Sequence, residues 1–182
     1  MKTYVIPFLL VFVFVLLSCH SDTGKKNLIQ VDINPEKTHQ TIEGFGTCLI
    51  TYKDYPPEYS DPDFFDLVVN DLGLSLMRIP VMEHTEWKND NDDPDVFNWS
   101  GFYMQNNHRR KGMKEQMELY REFKKRGVNR FMATPWSPPQ FAKTNRAPIK
   151  GGFMRADMTE EFAEFLAAYI ILAKRNWDID IN

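Results

Sequence analysis

Two stretches of this sequence carry side chains with chemistry to offer. The first is Met77-Arg78-Ile79-Pro80, which sets an arginine in a run that is otherwise nearly all apolar. A guanidinium costs too much to bury alone, so Arg78 requires a carboxylate or a polar cavity. Two roles fit: it orients a catalytic carboxylate and keeps it ionised, or it closes a structural ion pair on the floor of the domain. The second stretch is Thr134-Pro135-Trp136-Ser137-Pro138-Pro139-Gln140-Phe141-Ala142-Lys143-Thr144-Asn145. Pro135, Pro138 and Pro139 fix backbone angles and remove donors, which makes a stiff loop around Trp136. A rigid indole presents a flat apolar face with a polar edge, and the C–H face of a sugar matches it in size. The alternative is a tryptophan that plugs the core under the loop. Trp87, Trp99 and Trp177 have no comparable setting and read as packing residues.

Both stretches fall where a strand stops, and the elements around them alternate in type. Leu28 to Ile33 alternates apolar and polar residues, as a half-exposed strand does, and His39 to Ile42 can supply a hairpin partner. Gly44-Phe45-Gly46 follows as a turn. Asp61-Pro62 opens a helix with a capping acid and a proline at its first position, Phe65, Val68, Val69 and Leu72 form its apolar face, and Gly73 closes it. Leu74 to Ile79 reads as a buried parallel strand stopped by Pro80. Gly112 to Arg126 is amphipathic through Met113, Met117, Tyr120 and Phe123, with Gly127 at its end, and Val128 to Thr134 is a further strand stopped by Pro135. Asp157-Met158-Thr159-Glu160 has the form of a capping box ahead of a helix buried through Phe162, Phe165, Leu166, Tyr169 and Leu172. Asp178 to Ile181 begins another alternating strand.

This order implies an α/β fold with a parallel sheet, either doubly wound or a (β/α)8 barrel. No glycine-rich phosphate loop follows a strand, which disfavours a dinucleotide site. A complete barrel takes roughly 250 residues, so the expected architecture is a truncated (β/α)8 TIM barrel that ends after about half its strands. In such a barrel the active site lies at the C-terminal strand ends, where Arg78 and Trp136 fall.

Pro135-Trp136-Ser137-Pro138-Pro139 with Lys143-Thr144-Asn145, preceded by Gln40-Thr41-Ile42-Glu43-Gly44-Phe45-Gly46 and Arg78-Ile79-Pro80-Val81, resembles the family-30 glycoside hydrolases over roughly residues 28 to 182. The resemblance implies a barrel fused to a side β-structure, with residues 28–42 contributing its N-terminal strands and residues 43–182 the first half of the barrel. It implies retaining hydrolysis of β-linked glycans of the β-1,6-galactan, β-1,6-glucan or xylan type, without a cofactor. That chemistry needs two carboxyl groups about 5–5.5 Å apart, one a nucleophile and one an acid/base. By the family pattern the Asn-Glu-Pro carrying the acid/base is expected shortly beyond Asn182 and the nucleophile further on, so no catalytic glutamate is expected within this chain and the chain alone is expected to be inactive. The resemblance makes Arg78 the arginine near the nucleophile and Trp136 the tryptophan lining the subsite next to the scissile bond. It also places an acidic residue after strand two to hold sugar hydroxyls; of Glu83, Thr85 and Glu86, Glu83 is assigned. The readings in competition are a non-catalytic, lipid-anchored glycan-binding protein that keeps Trp136, and a surface structural protein for which Trp136 has no glycan role.

The N-terminus reads as an address. Lys2 precedes an apolar-dominated run from Tyr4 to Leu17, too short to span a bilayer comfortably and placed like a secretory signal peptide over residues 1–18. It ends in Leu16-Leu17-Ser18-Cys19, which resembles the bacterial lipoprotein signal, with Cys19 lipidated and a polar tether over residues 19–27. The expected location is therefore outside the cytoplasm, anchored in membrane lipid through Cys19 at the bacterial outer membrane or cell surface.

Composition removes other classes. The 182 residues carry 22 Lys+Arg against 25 Asp+Glu, a net charge of −3, which gives no electrostatic reason to expect nucleic acid. Cys19 and Cys48 are the only cysteines, too few for a disulfide scaffold, and no CxxC or histidine-rich cluster suggests zinc. Cys48 reads as a small buried hydrophobe. Asp90, Asp92, Asp93 and Asp95 lack the glycine and glutamate of a calcium loop and read as a solvated acidic insertion. Asn98-Trp99-Ser100 matches a glycosylation sequon that a bacterial lipoprotein would rarely use. His84 lies near a strand end and within reach of a substrate, His39 and His108 read as surface residues, and Glu43 as structural.

Overall fold

The computed structural model describes residues 29–49, 56–81, 83, 85–91, 93–103 and 112–182. The signal peptide at 1–18, Cys19 and its tether, together with Leu28, His84, Asp92 and His108, lie outside the described residues. The chain divides into two units, Met1–Gln40 and Thr41–Asn182.

In the first unit the alternation expected over Leu28–Ile33 does not become a strand across its described residues, 29–33. Ile29, Val31 and Ile33 are all exposed, so neither face of the segment is buried. Asn34 closes a turn instead: its carbonyl accepts from the Lys37 amide at 3.2 Å and its side chain from the Glu36 amide at 3.0 Å. Residues 39–42 are likewise not a strand. The N-terminal strands expected over 28–42 are thus absent among the described residues, and an isolated two-stranded hairpin is marginally stable in water.

The second unit carries a parallel sheet in the order β1 (Gly46–Thr47), β2 (Leu76–Val81), β3 (Arg130–Pro135). A single bridge from Phe131 to Ile181 extends it, with the Asn182 amide donating to Phe131 O at 2.8 Å. The described residues form this open sheet and not a closed barrel. The parallel order requires a crossover between successive strands, and helices supply it. Helix α1 (Pro62–Asp66) starts as its sequence dictates, with the Asp61 carboxylate accepting from the Asp63 amide and Pro62 next to it. It then widens into a π turn over Leu67–Asp71. The wider turn rotates the seventh position off the inner face, so Phe65 and Val68 are buried but Leu72 is exposed.

Helix α2 (Met113–Lys125) buries all four residues of the expected stripe and adds Gln116 and Leu119. Gly112 donates to Glu115 Oε2 at 3.1 Å at its start, and Gly127 leaves at φ +112°. Helix α3 (Thr159–Trp177) buries Phe165, Tyr169 and Leu172, with Phe162 and Leu166 packed at the margin. The expected capping box does not form. A 3-10 turn, Ala156–Met158, leads into α3, and Asp157 turns back to pair with Arg155, Nε to Oδ1 at 3.1 Å. At the other end Asp178 takes the left-handed conformation that aspartate tolerates, at φ 56°. Lys124 and Lys174 both hydrogen-bond its carboxylate, which holds its pKa down to about 2. Cys48 is half-buried rather than buried, its thiol 3.8 Å from Leu49 O.

Pro80 lies inside β2, not beyond it, and the hydrogen-bond ladder explains why. Leu76 N–H donates to Phe45 O, which places the even-numbered polar groups of β2 on the β1 side. The last β1–β2 pair is Thr47 with Met77, so Pro80 occupies a position where the ladder asks for no donor. The carbonyls on that side are taken by α2: Tyr120 O–H donates to Arg78 O at 3.1 Å and Gln116 Nε2 to Pro80 O at 2.6 Å, while Tyr169 O–H donates to Gln116 Oε1. Gln116→Leu removes the donor to the buried Pro80 carbonyl and the acceptor of the Tyr169 O–H, and is expected to destabilise by about 1–3 kcal/mol in urea unfolding. An unchanged midpoint would show that this polar chain contributes nothing.

Candidate functional site

The parallel pairing of β2 with β3 brings Pro80 beside Thr134 and Val81 beside Pro135, so the loops after both strands leave from one edge. Met77, Ile79, Val81 and Phe131 point into the core shared with α2 and α3. Arg78 and its register partner Met132 fall on the opposite face of the sheet, where Met132 is exposed. There Arg78 Cζ lies 5.2 Å from the centroid of the Trp136 ring. The partner of this guanidinium is therefore an indole face, a cation–π arrangement that tolerates partial exposure.

Trp136 is 69% exposed and does not plug the core. Its loop is held by side chains of the residues that follow. Lys143, only 5% exposed, donates from Nζ to Ser137 Oγ at 3.0 Å and to Pro148 O at 3.4 Å. Thr144 pairs with Phe153 in both directions, at 2.9 and 3.0 Å. Asn145 Nδ2 faces the carbonyls of Ile149, Lys150 and Gly151 at 3.0–3.4 Å. Gly152, at φ +85°, lets the chain pass: a Cβ there would stand 2.6 Å from the Asn145 amide. Lys143-Thr144-Asn145 thus builds the loop that displays the indole.

Glu83 sits half-buried at the start of the loop after β2. The loop's unusual acid is Glu86, 3% exposed, with Thr85 equally buried beside it. Glu86 bridges to Phe102 in antiparallel fashion, and Tyr103 N–H donates to Thr85 O at 2.6 Å. Desolvation first, and then the charges of Glu164, Asp90 and Glu161, push the Glu86 carboxyl up to about 8. Burial, with Glu161, Asp90 and Asp93 nearby, pushes Glu164 up to about 7. Glu161 and Glu164 of α3 are invisible in the sequence because their spacing is that of an ordinary helix face. Asp90 accepts from Asn98 Nδ2 at 2.9 Å, so part of the acidic insertion organises its own loop. Among the described residues no group of three or more histidine, cysteine or carboxylate side chains is placed to hold a metal ion. Of the other tryptophans, Trp99 stacks on Phe97 at 4.9 Å with Arg175 over it and Trp177 is buried, as expected, whereas Trp87 is 37% exposed and is not a packing residue. Glu43 pairs with Arg130 at the start of β3.

Solved structures share this architecture. SrfJ from Salmonella typhimurium superimposes with a TM-score of 0.56 at 19% identity, over 78% of this chain and 33% of its own. The glycoside hydrolase family 30 subfamily 8 xylanase Xyn30A from Clostridium acetobutylicum gives 0.53 at 19%, over 81% and 33%. The catalytic domain of the family 30 xylanase C from Talaromyces cellulolyticus gives 0.54 at 20%, over 82% and 37%. The fold of this chain is thus like part of that of family-30 glycoside hydrolases, and the chain spans about a third of the length of the structures it matches. No family model matches the sequence, and no curated protein matches it.

Proposed function

We propose that this chain is the N-terminal part of a retaining glycoside hydrolase for β-linked glycans, of the xylan, β-1,6-glucan or β-1,6-galactan type. The observation that carries the reading is the exposed Trp136 ring, held by a proline-rich loop and stacked against Arg78 at the C-terminal edge of a parallel sheet. In this reading Trp136 packs on the sugar next to the scissile bond. Arg78 stands beside the nucleophile and favours its ionised form, and Glu83 accepts hydrogen bonds from sugar hydroxyls. The acid/base and nucleophile glutamates lie beyond Asn182, so the chain alone binds but does not cleave. Export through residues 1–18 and lipidation of Cys19 would keep the enzyme at the cell surface, where polymeric glycans are met.

The test is affinity electrophoresis of the chain in gels containing xylan, a β-1,6-glucan or a β-1,6-galactan, joined to the coding sequence read past the Asn182 codon. Retardation by one polymer, with Asn-Glu-Pro and a later strand-end glutamate in frame, supports the enzyme. Retardation with a stop codon after Asn182 favours the non-catalytic glycan-binding protein. No retardation in any gel overturns both.

A further inference from the structure

We infer that the loop after β2 is a pH-operated latch: it docks on α3 while the carboxyl groups buried between the two carry protons, and it is released when they ionise. The contact has acids on both sides. Glu86 comes from the loop, and Glu161 and Glu164 come from α3; all three are buried. Facing Glu86 are Glu164 and Glu161 of α3 and Asp90 of its own loop, while Glu161, Asp90 and Asp93 face Glu164; none of these is a base. Glu86 Oε2 and Glu164 Oε2 lie buried with no hydrogen-bond donor. Glu161 and Glu164 share a side-chain hydrogen bond, and because an ionised carboxylate can only accept, that bond requires a proton on one of them.

An ionised carboxylate at this contact gives up its water without gaining a cation, and it repels its neighbours across the interface. A protonated one carries neither cost. Docked, Glu86 and Glu164 hold their protons up to about 8 and about 7, whereas a solvated glutamate titrates near 4.5. Between about pH 4.5 and 8 the docked loop therefore binds more protons than the released one, and docking weakens as pH rises through that range. The loop is built to leave as a piece. Tyr103 N–H donates to Thr85 O at 2.6 Å, Asn98 Nδ2 to Asp90 Oδ2 at 2.9 Å and Asn91 Nδ2 to Asp93 O at 3.3 Å. Gly101 lies so near Asp90 that a Cβ there would stand 2.5 Å from its carboxylate. Outside itself the loop is held by the packing of Phe102 and Trp99, by Arg175 lying 4.4 Å over the Trp99 ring, and by Gln140 Nε2 donating to Trp87 O at 3.2 Å. Gln140 belongs to the loop that carries Trp136, so release of the latch breaks the tie between the two loops at the strand-end edge. An effect on glycan binding rests on the proposed function; the latch itself does not.

The experiment is amide hydrogen exchange of the full chain at about pH 6 and about pH 8.5, corrected for the chemical effect of pH on exchange, for wild type, Glu86→Gln and Glu164→Gln. The reporter is the 97–103 segment, which includes the Tyr103 amide, read against β3 and α2. From the lower to the higher pH, wild-type protection of the loop should fall at least about tenfold while β3 and α2 keep theirs. Glu86→Gln should hold the loop protected at both pH values, and Glu164→Gln should keep part of the protection that wild type loses. Loop protection independent of pH, a fall shared equally by β3 and α2, or a fall as large in both variants as in wild type overturns the latch. If Glu86→Gln leaves β3 unprotected even at the lower pH, it has not folded and Glu164→Gln decides alone. Gel retardation at the same two pH values tests the coupling: the wild type should be retarded less at the higher pH, and Glu86→Gln equally at both. Release of the loop with retardation unchanged removes the coupling and keeps the latch. No retardation at either pH overturns the proposed function and leaves the latch standing.

Discussion

Replacing Trp136 by alanine is expected to weaken binding of β-linked glycans at least about tenfold, a loss of 1.4 kcal/mol or more, with little change in stability. The expectation follows from where the ring is and what holds it. With 69% of its surface exposed, Trp136 contributes little to the core, and exposed substitutions away from special features usually lie within about 0.5 kcal/mol. What alanine removes is the stacking face and the cation–π contact with Arg78, worth about 0.5–1 kcal/mol at a partly exposed site. Trp136→Phe keeps an apolar face of smaller area and should fall between. Isothermal titration with oligosaccharides of the retarding polymer gives the affinity, and a thermal melt gives the stability. Unchanged affinity with a normal melt would mean that the indole is not the sugar platform, and the structural-protein reading would gain. A collapsed melt would show that Trp136 supports the loop rather than the ligand.

The parts of the molecule legible in the sequence are those fixed by short-range chemistry. Asp61-Pro62 caps its helix as expected, the Met113–Phe123 stripe is wholly buried, and glycine ends α2, because each depends on residues within a turn or two. The juxtaposition of Arg78 with Trp136 is legible only in outline: both fall at strand ends in the sequence, but an indole rather than a carboxylate as the arginine's partner depends on the register of β2 against β3. The failures share one cause: the spacing of residues within an element does not fix which outside group or surface they meet. Pro80 reads as a stop, yet it continues β2 because Gln116 and Tyr120, on another element, serve the carbonyls that β1 leaves unpaired. Asp157 reads as a cap, yet Arg155 takes it. The N-terminal alternation reads as a strand, but periodicity supplies two faces and no surface to bury them against.

The same principle makes Glu86 a residue with a large, pH-dependent effect on stability. Its sequence context, Glu83-His84-Thr85-Glu86, suggests a solvated loop, whereas the structure buries it with one carboxylate oxygen unpaired and Glu164, Glu161 and Asp90 for neighbours. In the unfolded chain this carboxyl ionises near 4.5, and in the folded chain near 8. Below about pH 4.5 both states hold the proton and the group leaves stability unaffected. Between about pH 4.5 and 8 the folded state binds more protons than the unfolded one, so stability falls as pH rises, and above the folded value the penalty is complete. Glu86→Gln has nearly the same shape, cannot ionise, and brings two N–H donors to a site rich in acceptors. At pH 8 it is therefore expected to stabilise by roughly 2 kcal/mol, raising the melting temperature by about 4–8 °C for a chain of this size. At pH 4.5 the two proteins should melt within about 1 °C of one another. Parallel melts from pH 4.5 to 8.5 measure the difference directly. A gain from Glu86→Gln that does not grow with pH would mean that the carboxyl is ionised throughout this range and has a partner that compensates its burial.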